Sequence, residues 1–167
     1  VPTHLNLNNG KAPVFNYAEY WCDCGDPHGR NPNGNCKCKA LGIVTRTPRF
    51  GKATRPEQVI DGLSSTMMYG EKWLETDKYD TGEWHDDRGW TDGYDPDVVR
   101  STALPGRPDD TLENNDDAFA FGGVHSGGFN ACFGDGAVHF ISYDVDRIIY
   151  NRWGNRRDDL PATSPGL

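Results

Sequence analysis

The sequence predicts a mainly β (α+β) domain, an antiparallel β-sheet with two short helices and long acidic loops. Three observations lead there. Hydrophobic residues make up only 35% of the chain, while Gly (20) and Pro (11) are plentiful, which suits short strands joined by turns and disfavours a helix bundle. Apolar and polar residues alternate on both sides of a Gly-Asp-Gly turn at 134–136, which is a hairpin pattern. Five Trp, seven Tyr and seven Phe supply the large buried surfaces that a core poor in aliphatic residues needs. At 167 residues the chain fits one domain with room for a real core.

Residues 1–12 (VPTHLNLNNGKA) are polar and turn-prone and read as an extended N-terminal arm. A single β-rich domain is expected over 13–155 and a polar C-terminal tail over 156–167. The chain opens Val-Pro-Thr-His, without a Met or an apolar h-region, so a mature or truncated product with its targeting segment upstream is expected. Aromatics alternate well enough in 13–22 for a strand, and Asp-Pro, Asn-Pro and Asn-Gly mark 23–35 as a loop. A short strand is expected at 40–45. A short helix is expected at 55–61, with Thr54 as N-cap, Pro56 in its first turn and Gly62 ending it. Residues 66–73 (TMMYGEKW) read as a strand, and 76–118 as a long acidic, aromatic-bearing loop. Phe129, Ala131 and Phe133 then alternate with Asn130 and Cys132, and 137–141 return as the second hairpin strand. A helix near 144–153 places Val145, Ile148, Ile149 and Trp153 on one face, with Gly154 as the C′ residue.

A net charge of −8, from 25 acidic and 17 basic residues, repels phosphate backbones and anionic lipid, so neither nucleic-acid binding nor binding to a membrane surface is expected. No apolar run approaches the roughly 20 residues needed to span a bilayer, so no membrane insertion by this segment is expected. Cys22, Cys24, Cys36 and Cys38 form two Cys-x-Cys pairs around a turn-rich stretch. Two disulfides in an oxidising compartment are the favoured reading, Cys22–Cys38 and Cys24–Cys36 being the natural pairing across an antiparallel pair. Zinc on the same thiols, with His28 nearby, is the rival, although zinc sites more often use Cys-x-x-Cys. Cys132 is left over, and its place in an apolar strand suggests a buried free thiol.

Asp86, Asp87, Asp92, Asp95 and Asp97, spaced by Gly and aromatics, offer hard oxygen ligands for calcium, the one candidate cofactor. The spacing is not that of an EF-hand, and a solvated acidic loop with Asp-capped turns is the plainer reading. Asp109, Asp110, Asp116 and Asp117 are weaker candidates. Trp84, Trp90 and Tyr94 can stack on sugar rings, although core packing beneath the loop is the commoner role of such residues. Glu71 is a possible carboxylate for glycoside hydrolysis but lacks an identifiable partner. His125 and Asp135 invite a reading as base and orienter. An Asp in a Gly-Asp-Gly turn normally caps its own backbone, however, so a structural role for both is favoured. No Gly-x-Ser-x-Gly, His-Glu-x-x-His, phosphate-loop or dinucleotide fingerprint occurs, and no enzyme is expected.

The run FGGVHSGGFNACFGDGAVHFISYDVD, in which His125 is followed after nine residues by Asp135-Gly136, resembles the C-terminal signature of a large bacterial prepilin-like family of unknown function, type IV pilin- or pseudopilin-like. VIDGLSSTMMYGEKW (59–73) is similar to that family's Asp-Gly-x-Ser-x-Thr strand motif ending in Gly-Glu, with Ser65 where Asn is usual. WHDDRGWTDGYDPDVVR (84–100) resembles the acidic-aromatic stretch before its final hairpin. The resemblance implies a secreted or surface-exposed bacterial β-rich domain, with His125, Asp135 and Gly136 as structural signature residues. The expected role is a structural subunit of an extracellular filament or surface assembly, partnered by copies of itself. The alternative is a secreted glycan-binding module, with calcium dependence left open.

Overall fold

The computed structural model describes residues 42–44, 53–92, 97–111, 117–160 and 162–165. At its centre lies the expected hairpin, β4 (Gly128–Phe133) and β5 (Val138–Ser142), paired antiparallel from Gly128↔Ser142 to Cys132↔Val138. The turn holds because Gly136 adopts φ +88°, a left-handed conformation that disfavours a side chain. The Asp135 carboxylate accepts the Ala137 N–H at 2.9 Å. Strand β1 (Met67–Gly70) pairs antiparallel with β4 on the other side, with a bulge between Met67 and Tyr69, giving the order β1-β4-β5.

Period-2 alternation divides the sheet into two faces. Met67, Phe129, Ala131, Phe133 and Ile141 point inward and are buried, forming one core with Phe121, Tyr150 and Trp153. Phe129 stacks on Phe121 at 5.9 Å and meets the edge of Tyr150 at 6.2 Å, and Phe133 meets the edge of Trp153 at 5.8 Å. Tyr150 and Trp153 come from helix α1 (Arg147–Trp153). Asp146 caps α1 by accepting the Ile148 and Ile149 N–H groups at 2.9 and 3.0 Å, which satisfies two of the helix's orphan donors.

Several expectations are corrected. Residues 55–61 form no α-helix, only a 3₁₀ turn at Pro56–Gln58, all of it exposed. Without an apolar stripe to bury, so short a segment has nothing to sustain a helix. Among the described residues α1 is therefore the one α-helix. Gly154 ends α1 with φ −78°, in the right-handed region and not as a left-handed C′ residue. Gly42, Ile43 and Val44, within the strand expected at 40–45, form bends. The stretch 76–118 holds more order than alternation reveals. Strand β2 (Arg107–Pro108) pairs in parallel with β3 (Gly122–Gly123), and 3₁₀ turns stand at Thr76–Lys78 and Trp90–Asp92.

The described part of the C-terminal segment lies against the body. Asp61 accepts the N–H groups of Asp158 and Asp159 at 2.7 and 3.0 Å, and Trp153 Nε1 donates to the Thr163 carbonyl at 2.9 Å. Burial raises the pKa of Asp158, and nearby Asp61 adds to the effect. No described helix is long and apolar enough to cross a membrane. The arm at 1–12 and the strand at 13–22 lie outside the described residues.

Candidate functional site

The side of the sheet facing away from the core carries the features of most interest. Alternation places Tyr69, Cys132 and Val138 in one cross-strand row, and Asn130 and Phe140 in the next. Tyr69, Val138 and Phe140 are 60%, 66% and 57% exposed, so large apolar groups occupy positions where polar residues ordinarily stand. Cys132 is a free thiol on this row and only partly buried. The expectation of a buried thiol fails because alternation puts Cys132 on the outer face, in file with Asn130.

Glu71 closes one end of this surface. Its main-chain N–H donates to the Asn130 carbonyl at 3.0 Å, while its carboxylate accepts the Asn130 N–H at 2.7 Å and Asn130 Nδ2 at 3.2 Å. The side chain thus supplies the acceptor that β1, past its last residue, no longer presents to β4. His125 stands beside it, exposed, with Nε2 at 3.9 Å from Glu71 Oε1 and its ring edge-on to Phe140 at 6.3 Å. Asp135 occupies the turn at the far end of β4, roughly 20 Å away by strand rise. The structure does not bring His125 and Asp135 together as base and orienter.

The acidic loop is held by side chains. Lys72 pairs with Asp86 and donates to the Asp97 carbonyl at 3.0 Å, and Asp97 accepts the Arg88 N–H at 2.8 Å. His85, 1% exposed, places Nε2 at 3.1 Å from Glu75 Oε1. Trp73 stacks on its ring at 5.9 Å, and Trp84 packs edge-on at 5.2 Å. Arg107 lies over Trp73 at 5.4 Å and pairs with Asp117 at 2.8 Å. The Asp109 carboxylate accepts the Leu74 N–H at 2.9 Å and the Tyr79 hydroxyl at 2.6 Å, and that hydroxyl contact is the main cause that pushes the Tyr79 phenol up to about 12. Burial, reinforced by Asp109 and Glu71, pushes Tyr143 up to about 12 as well.

Of the residues expected to ligate calcium, Asp86 and Asp97 are thus engaged by protein groups, and exposed Asp87 lies 3.6 Å from Arg88. Asp110 accepts the Thr111 N–H at 2.8 Å. Among the described residues no group of three or more His, Cys, Asp or Glu stands close enough to hold a metal ion. Asp95 and Asp116, the Asp92 side chain, Tyr94, Cys22, Cys24, Cys36, Cys38 and His28 lie outside the described residues.

The aromatics of the loop differ in degree. Trp84 packs against His85 and Phe119, at 6.0 Å from the latter, yet is 39% exposed, while Trp90 is 83% exposed. The expectation that they form the core beneath the loop fails for both: Trp84 only borders the core, and Trp90 sits in an exposed 3₁₀ turn. Trp90 and Tyr69 both line a cleft of about 420 Å³ beside β1, with Val98, Lys72, Arg88 and Asp97. Sequence reasoning missed this juxtaposition, because the two aromatics lie far apart in the chain and on different elements.

No curated protein and no solved structure matches the chain. Residues 25–147 match the model of a family described as "protein of unknown function (DUF1559)". The match spans well over half of the chain and includes β1, the acidic loop and the central hairpin. The chain belongs to this bacterial family of unknown function.

Proposed function

We propose that this chain is a structural, pilin-like subunit of an extracellular filament or surface assembly in a bacterium, associating with copies of itself through the outer face of its three-stranded sheet. The observation that carries the reading is the cluster of exposed Tyr69, Val138 and Phe140, from two adjoining rows of that face. A water-facing sheet surface of this kind loses apolar exposure only by being covered. Family membership supports the reading, as does the use of the signature residues for turns and strand contacts. The four N-terminal cysteines are expected to be oxidised in such a location. Electron microscopy of the full chain tests it. Ordered assemblies that lengthen with concentration are expected, and uniform single particles at every concentration overturn it.

A second reading rests on one specific observation, the exposed Trp90 facing the cleft it shares with Tyr69. Two aromatic faces flanked by charged side chains suit a sugar ring stacked on one side and hydrogen-bonded on the other. A glycan array compared between the wild type and Trp90→Ala tests it. Binding that disappears in the variant supports a glycan site, and equal or absent binding removes it.

A further inference from the structure

We infer that β5 is a strand-addition edge and that its occupant is β5 of a second copy, paired antiparallel about a two-fold axis through Phe140. This rests on the self-association proposed above and adds to the outer face a second contact, at the sheet edge. The Tyr143 N–H bonds to the Gly127 carbonyl, and the Phe133 N–H bonds to the Ala137 carbonyl. Residues opposite one another in an antiparallel pair alternate between hydrogen-bonded and non-bonded pairs. With this register, Phe129↔Ile141 and Ala131↔His139 are therefore the bonded pairs, and Gly128↔Ser142, Asn130↔Phe140 and Cys132↔Val138 the non-bonded ones. The main-chain groups of Val138 and Phe140 and the Ser142 N–H consequently point away from β4, at the open side of the sheet, while the Ser142 carbonyl accepts the Val145 N–H at 3.2 Å. Among the described residues β5 pairs with β4 alone, and the sheet ends at β5.

This edge lacks the usual guards. Val-His-Phe-Ile-Ser contains no Pro and no Lys, and the bulge of the sheet lies in β1, not β5. Proteins commonly protect an exposed edge with one of these devices. The five residues also carry no carboxylate. On a chain of net charge −8, an uncharged seam is what an equally acidic copy can approach, whereas a basic partner gains nothing there over the acidic loops.

The strand is complementary to itself. With the axis through Phe140, the outward N–H and carbonyl of Phe140 exchange two hydrogen bonds with Phe140 of the mate. Val138 faces Ser142 on either side. On the outer face the two Phe140 rings become neighbours, and on the inner face His139 meets Ile141. Two three-stranded sheets become one of six strands, an isologous interface.

The geometry sets the test. Residue 140 faces itself across a hydrogen-bonded pair, with Cα atoms about 5.5 Å apart, inside the span of a disulfide. Residue 138 lies about 13 Å from its own symmetry mate by strand rise. In a Cys132→Ser background, Phe140→Cys is expected to give an oxidised dimer on a non-reducing gel, its 140–140 link identified by peptide mass spectrometry, while Val138→Cys stays single. A second variant reads the hydrogen bonds. Phe140→Pro deletes the outward N–H and leaves the β4 ladder intact, so dimer affinity is expected to fall roughly tenfold or more below that of Phe140→Ala, which loses the same ring, with thermal stability near that of Phe140→Ala. Wild-type self-association in which Val138→Cys cross-links as readily as Phe140→Cys, or Phe140→Pro associates as tightly as Phe140→Ala, overturns the two-fold edge and leaves the self-associating subunit standing. A wild-type chain that never associates removes both.

Discussion

At the scale of single residues, Glu71 completes the sheet with a side chain. It accepts the Asn130 main-chain N–H at 2.7 Å where the β1 backbone has run out. Glu71→Ala leaves that donor without its charged acceptor, and a loss of about 1–3 kcal/mol in denaturant unfolding is expected. An unchanged midpoint would contradict the role. Two phenols give a pH signature. Tyr79 and Tyr143 are raised from 10.0 to about 12 in the fold, so between those values the unfolded chain releases protons that the folded chain keeps. Their stabilising contribution is complete below pH 10 and is lost as pH rises through about 12. A phenolate absorbance titration is expected to show a late-ionising set, which shrinks in Tyr143→Phe. The roles of Asp135 and Gly136 were legible because turn chemistry is local. The role of Glu71 was not, since its partner lies fifty-nine positions away.

At the scale of elements, the hairpin was legible and the acidic stretch was not. Phe129, Ala131 and Phe133 alternate so regularly that strand, turn and buried face could be read together. Helix α1 was also visible, although Tyr150, fully buried against Phe129, was missing from its expected apolar face because a phenol reads as a polar-tipped residue. The parallel pair β2–β3 spans only two residues on each side, and its alignment joins Arg107 to Gly122. Such a pairing leaves no periodicity in either segment. Gly122 is there for space, since a Cβ would collide with the Arg107 carbonyl. The order of the acidic loop comes from pairings between distant residues, with Lys72 holding both Asp86 and the Asp97 carbonyl. Lys72→Ala is expected to speed proteolytic nicking near Asp86 several-fold while the β4–β5 peptides stay protected. Equal cleavage rates would show that the loop is held in some other way.

At the scale of the whole molecule, inner and outer sheet faces differ in purpose. The inner face is consumed by α1 and Phe121, and the outer one is left with Tyr69, Val138 and Phe140 in water. The sequence made this partly legible, since both strands of the hairpin carry apolar residues at positions of either parity. What it hid was that β1 adds Tyr69 to the same surface, because strand order is not written in local pattern. If the four N-terminal cysteines are oxidised, as expected of an exported subunit, intact mass under non-reducing conditions shows two disulfides and a single alkylatable thiol, Cys132. Four or more alkylatable thiols would contradict export to an oxidising compartment. The most direct measurement is sedimentation velocity of the wild type beside Tyr69→Asp/Val138→Asp, which places charge on the outer face without touching the core. The wild type is expected to grow in sedimentation coefficient with concentration while the double variant stays single. Two chains that sediment identically, both as single molecules at every concentration, would contradict self-association through this face.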